Sequence, residues 1–206
     1  GHREVYSARA AVCDTVGDFS KGNRLVYLTS CGNDKFVSGS LADENWWYAL
    51  YDRQGKFLSG VEAISGLSKD RDRALSVMLS TQYAASPDGK HLCSANVPVP
   101  VVSFASVDGG ELQEKKRIQA SFDGEKKMRF ETAKSCFHGG GADDEYAYIL
   151  YSGRRIADRE VPSNECSHLL VYDWDGNIKH HYVLPRPVCS ISLTDDGFYA
   201  VSTWPT

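Results

Sequence analysis

Three observations predict an all-β chain of repeated four-stranded antiparallel blades, a β-propeller. The first is Leu169 to Leu184, LLVYDWDGNIKHHYVL, in which two β-prone runs flank Asp175-Gly176. That dipeptide supplies the positive φ angles a two-residue hairpin turn needs. The second is recurrence. Trp47 to Val61 repeats the design with Gln54-Gly55 at the turn, and Val101 to Ile118 repeats it more loosely at Asp108-Gly109-Gly110. The third is a turn of another kind, marked by Asp34, Asp88, Asp143 and Asp196, whose successive steps are 54, 55 and 53 residues. Periods of this size with four strands each mark propeller blades.

The strands of each repeat are lettered A to D in chain order. The first full repeat places A at Leu25 to Ser30, B at Lys35 to Leu41, C at Trp47 to Tyr51 and D at Phe57 to Val61. The second places A at Tyr83 to Ala85, B at His91 to Ala95, C at Val101 to Ala105 and D at Leu112 to Ile118. The third places A at Ala133 to Phe137, B at Tyr146 to Tyr151, C at Leu169 to Asp173 and D at Ile178 to Leu184. Cys189 to Leu193 and Phe198 to Thr203 read as A and B of a further blade. Glu4 to Val12 and Cys13 to Phe19 are left as two unassigned strand-like runs. Ser68 could cap a short helix with Leu75, Met78 and Leu79 on one face, though Val77 to Thr81 reads equally as strand.

Composition excludes several classes. The 206 residues carry a net charge of -4 and are 42% hydrophobic, enough for one sizeable core and one domain over 1–206. Basic runs stop at Lys115-Lys116-Arg117 and Lys126-Lys127, so nucleic acid is not an expected partner. No apolar segment approaches the roughly 20 residues that cross a bilayer as a helix. The six cysteines lack metal-ligand spacing and read as buried free thiols, a disulfide framework being the alternative. No cofactor is implied.

Residues also carry a resemblance. Ser86-Pro87-Asp88-Gly89-Lys90 resembles the turn of TolB-type propeller repeats. Tyr151-Ser152-Gly153-Arg154, followed by Leu170 to Asn177 (LVYDWDGN), resembles the TolB-like six-bladed propeller family of Bacteroides-type bacteria. The resemblance spans about residues 25 to 203. It implies export to the periplasm or cell surface, often as a lipoprotein, with functions mostly unassigned. Six blades would need about 324 residues, so this sequence holds about four blades' worth. Closure into a ring would require Phe198 to Thr203 to pair with Glu4 to Val12; the expectation is that it does not.

Four motifs reduce to structural readings. His138-Gly139-Gly140-Gly141 matches an esterase oxyanion loop, but no G-x-S-x-G pentapeptide accompanies it, so it reads as a glycine-rich A–B hairpin. Asp173 to Asn177 echoes a calcium loop, yet Tyr182 stands where the bidentate Glu belongs. His180 and His181 are adjacent in a strand and point to opposite faces, so they cannot chelate one metal together. Of Trp46 and Trp47, one ring belongs in the core; the other, near Asp43 and Glu44, would suit carbohydrate or peptide stacking.

The connections point to a functional face. In a propeller the A–B and C–D turns lie on one side, and the B–C and D–A connections on the other. The second kind holds the long ones: Glu62 to Gln82, Gln119 to Ala133 and Ser152 to Ser167. Long loops on a rigid scaffold commonly carry function. These carry Arg71, Arg73, Arg154, Arg155, Asp158, Arg159 and Glu160, with Arg154 and Arg155 the expected anchors for carboxylate or phosphate. The functional expectation is a non-catalytic module binding a protein, peptide or carbohydrate. The rival is a propeller enzyme of lactonase, lyase or glycosidase type, which would need acidic or His groups converging near the channel.

Overall fold

The computed structural model describes residues 4–9, 12–18, 25–32, 34–40, 45–122, 133–157, 160–194 and 196–203, without side chains before residue 28 or at residues 40 and 73. Two strands open the chain, β1 (Glu4–Arg9) and β2 (Val12–Asp18), paired antiparallel with each other. Three four-stranded meanders follow. Blade one is β3 (Leu25–Ser30), β4 (Phe36–Ser40), β5 (Trp46–Tyr51) and β6 (Phe57–Glu62). The helix α1 (Arg71–Leu79) leads into blade two, made of β7 (Thr81–Ala85), β8 (His91–Asn96), β9 (Val101–Asp108) and β10 (Glu111–Gln119). Blade three is β11 (Phe137–Ala142), β12 (Tyr146–Tyr151), β13 (Cys166–Asp173) and β14 (Ile178–Val188). A separate two-stranded pair, β15 (Ser190–Thr194) and β16 (Gly197–Val201), follows. Each full sheet runs in sequence order, and all pairings are antiparallel. Among the described residues β16 pairs with β15 and β1 with β2, and no strand pairing joins the two ends.

The inner strands are apolar on both faces because a blade is packed from both sides, which removes the polar alternation of a half-exposed sheet. Trp47, Tyr48, Ala49, Leu50 and Tyr51 of β5 are all buried, as are Val101 to Ala105 of β9. One core cluster joins blade one, α1 and blade two through Trp47, Leu50, Leu75, Met78, Leu92 and Val101. A second joins blades two and three through Cys93, Phe104, Phe137, Ile149 and Tyr172. These face-to-face meanders have the organisation of consecutive propeller blades.

The open choice at residues 77–81 resolves in favour of both elements. The helix ends at Leu79 and the strand starts at Thr81. Ser68 Oγ accepts from the Asp70 amide, and Leu75 and Met78 are buried.

Two turn expectations need correction. The C–D hairpin of blade three turns over four residues. Gly176 N–H donates to Asp173 C=O at 2.9 Å, and positive φ is confined to Gly176, at 72°, not shared with Asp175. Asp52 to Gly55 repeats this geometry, with Gly55 at φ 77°. In both turns the leading aspartate also accepts from the backbone just after the glycine, at Lys56 and Asn177. Aspartate at the first position thus closes the turn with its own carboxylate.

Strand A of blade three is Phe137–Ala142 rather than Ala133 to Phe137, so the triple glycine is strand, not turn. The physical reason is crowding. The register shifts between His138 and Gly140, and a Cβ on Gly140 would lie 2.4 Å from the Tyr148 carbonyl oxygen. The turn itself begins at Asp143, whose carboxylate accepts from the amides of Glu145 and Tyr146.

Candidate functional site

The long connections interlock along one side of the blades through backbone hydrogen bonds. The chain leaving α1 meets the B–C connection of blade two, where Val97 N–H donates to Ser80 C=O at 2.8 Å. Cys136 N–H in turn donates to Val97 C=O at 2.7 Å. That segment reaches the B–C connection of blade three, with Ser135 N–H on Arg154 C=O and Ser152 N–H on Cys136 C=O, both at 2.8 Å. Each step crosses from one blade or connection to the next, so helix α1 and the Arg154 loop belong to one hydrogen-bonded rim.

Side chains brace it. Asn96 Nδ2 donates to Val77 C=O and to Thr81 Oγ1, which also accepts from Trp47 Nε1 at 2.8 Å. The Arg117 guanidinium donates to the carbonyls of Glu62 and Ala63, pairs with Glu114 and sits 5.5 Å from the Trp47 ring centre. Gln119 Nε2 donates to Ser65 C=O. Glu165, fully buried, accepts from Thr203 N–H at 2.6 Å and Thr203 Oγ1 at 2.7 Å, carrying the rim to the segment just past β16.

The expected site residues fall as follows. Arg71 opens α1 and is exposed; Arg73 lies on the same helix, its side chain outside the described residues. Arg154 is half-buried and donates to Ser167 Oγ at 3.0 Å, so its guanidinium is partly used inside the loop. Arg155 is exposed, and its backbone makes an isolated antiparallel β-bridge with Lys134. Asp43, Asp158 and Arg159 lie outside the described residues. Trp47 is the core ring; Trp46 is half-buried, 5.8 Å from Phe57, and a Cβ on Gly60 would strike it at 2.7 Å. Gly60 is therefore small so that the Trp46 ring can lie on β6.

Just before and at the start of strand A of blade three, Ser135 Oγ contacts His138 Nε2. Burial holds the His138 imidazole below its ordinary range. Sequence reasoning missed this pair because the triple glycine had been read as a turn. Among the described residues no group of three His, Cys, Asp or Glu side chains could hold a metal ion, and no helix is long and apolar enough to cross a membrane. On the short-turn side an open cleft of about 540 Å³ is bordered by Lys35, Lys90, His91, Asp108 and Lys115.

No family model matches this sequence. No curated protein matches it either. The chain is similar in structure to the β-propeller domain of Cps50 (Swd1) from Myceliophteria thermophila, with TM-score 0.47 and 11% identity over 82% of this chain and 44% of that one. It is similar to BamB from Moraxella catarrhalis at TM-score 0.45 and 9% identity, covering 85% and 39%. It is also similar to a protein of unknown function from Bacteroides caccae, at TM-score 0.42 and 11% identity, covering 89% and 58%. The chain thus spans between 39% and 58% of the length of these three proteins.

Proposed function

We propose that this chain is a non-catalytic binding or scaffolding module that engages a protein, peptide or carbohydrate through the rim formed by α1 and the 152–165 loop. The observation that carries the reading is the run of backbone hydrogen bonds from Ser80 through Val97 and Cys136 to Arg154. A surface ordered in advance loses less conformational entropy on binding. It presents exposed Arg71 and Arg155, whose planar forks suit carboxylate or phosphate. The resemblance carried by Ser86 to Lys90 and Tyr151 to Asn177 supports the finer terms of the proposal: a six-bladed, TolB-like, exported setting, often lipid-anchored.

The test is binding to arrays of peptides and glycans, followed by affinity measurement on the strongest hit. Replacing Arg71 and Arg155 by Ala together should lower affinity at least tenfold, while Lys35→Ala with Lys90→Ala on the opposite side should leave it unchanged. The reverse pattern overturns the reading.

One observation favours the enzyme alternative: the contact of Ser135 with His138, whose imidazole burial shifts below its ordinary range. Ser135 is itself only 4% exposed, which gives a substrate little access. Hydrolysis of an ester or lactone panel, abolished by Ser135→Ala, would establish that alternative.

A further inference from the structure

His168 and His181 come from adjacent strands of blade three. The register sets His168 opposite Val183 and His181 opposite Leu170, so the two histidines are diagonal neighbours on one face of the sheet. Their Nδ1 (His168) and Nε2 (His181) atoms stand 3.0 Å apart, with ring centres 5.1 Å apart and ring planes at 47°. They occupy an open depression of about 200 Å³, walled by Phe137, Tyr151 and Leu170. His181 is exposed at its mouth.

We propose that this pair is a two-histidine site for a divalent transition-metal ion of the copper(II) or nickel(II) class. The spacing selects the class. At metal–nitrogen bonds of about 2.1 Å, two nitrogens 3.0 Å apart subtend about 90°, the angle between neighbouring positions in tetragonal coordination. A tetrahedral ion such as zinc would need the nitrogens about 3.3 Å apart or more. The depression leaves room for water or a small anionic ligand at the remaining positions, and its apolar walls do not compete as donors. Each neutral imidazole carries one N–H. Without metal, one of the facing nitrogens holds the proton of the mutual hydrogen bond. On binding, that proton relocates through solvent to the same ring's far nitrogen, so both facing lone pairs reach the metal and the protein's charge does not change. His180 cannot take part, because it leaves the opposite face of β14 and stacks on Tyr182 at 5.7 Å.

The experiment is copper(II) titration of the full chain with nitrogen hyperfine spectroscopy. All variants carry His2→Ala, which removes a histidine outside the described residues as a competing copper ligand. One ion coordinated by two imidazole nitrogens is expected. His168→Gln or His181→Gln should each weaken binding at least tenfold, while His180→Gln should leave it unchanged; loss of a direct ligand should cost no less than the roughly 10- to 100-fold seen for supporting residues. A second readout needs no variant at either site: nickel(II) should protect His168 and His181, but not His180, from diethyl pyrocarbonate. Equal affinity in the His168→Gln/His181→Gln double variant, or no selective protection, overturns the proposal.

Discussion

A Cβ atom on Gly89 would lie 2.0 Å from the carbonyl oxygen of Cys31. The A–B turn of blade two therefore rests backbone-to-backbone on the A–B turn of blade one, and Gly89 at φ 70° is the residue that permits it. Gly89→Ala should destabilise by about 2 kcal/mol or more, combining the left-handed backbone with the clash. Gly109→Ala is the control: φ is 59°, but open space surrounds the site, so about 1 kcal/mol is expected. Denaturant melts of the two variants check this, and equal losses would mean the turns can separate freely.

Thr81→Val tests the junction of blade one with blade two. Thr81 Oγ1 accepts from Trp47 and Asn96 and donates to Met78 C=O, all out of contact with water. Valine keeps the shape and strands the indole N–H. A loss of about 1–3 kcal/mol is expected, together with a change in tryptophan emission. In a double-mutant cycle with Trp47→Phe the losses should add to less than their sum.

The blade plan was legible in the sequence because turn chemistry is local. Asp-Gly, Gln-Gly and Pro-Asp-Gly specify turns from adjacent residues, and strand lengths follow from what lies between them. Blade three's first strand was misplaced because glycine has two uses. Gly140 and Gly141 serve close packing against Tyr148 and Leu193, and Gly139 takes a positive φ at the strand irregularity, rather than reversing the chain, and that depends on neighbours remote in sequence. The rim and the His168–His181 pair were hidden for the same reason. Adjacent His180 and His181 were correctly set on opposite faces, but the partner of His181 lies 13 residues away and emerges only with the strand register.

Stability should depend on pH through His138. Its imidazole titrates below the ordinary value of 6.5 because burial disfavours the charged form. The unfolded chain then binds the proton more readily than the folded one. The contribution is fully present above about pH 6.5 and is lost as pH falls through the depressed folded value. Urea midpoints from pH 8 to pH 5 should fall for the native sequence and flatten for His138→Asn. Parallel curves would assign the pH dependence to other groups.

Thiol reactivity should separate the five cysteines whose side chains are described. Burial raises Cys31 and Cys166 to about 12 and Cys136 to about 11, and pushes Cys93 up as well. Thiolate is the reactive form, so these four should resist alkylation at pH 8 until the protein unfolds. Cys189, a free thiol of intermediate exposure, should react first among them. Mass-spectrometric mapping of a timed iodoacetamide reaction decides the order. A disulfide joining any two of the five would overturn it.

The last expectation concerns Glu165. Its Oε1 holds both the amide and the hydroxyl of Thr203, and its Oε2 accepts from Ser202 Oγ at 3.3 Å. The B–C connection of blade three is thereby fastened to the chain just past β16, a strand whose residues are all exposed. With little apolar burial of its own, β16 depends on that fastening for its order. Glu165→Ala removes the acceptor of three donors and should cost the β15–β16 pair about 2 kcal/mol of local stability, which is about 30-fold faster amide exchange across Gly197–Val201. Glu165→Gln keeps one accepting oxygen and should fall between. Amides of β9, deep in blade two, should exchange as before. Faster exchange throughout the molecule would instead make Glu165 a determinant of global folding, and unchanged exchange at β16 would show that the β15–β16 pair holds without it.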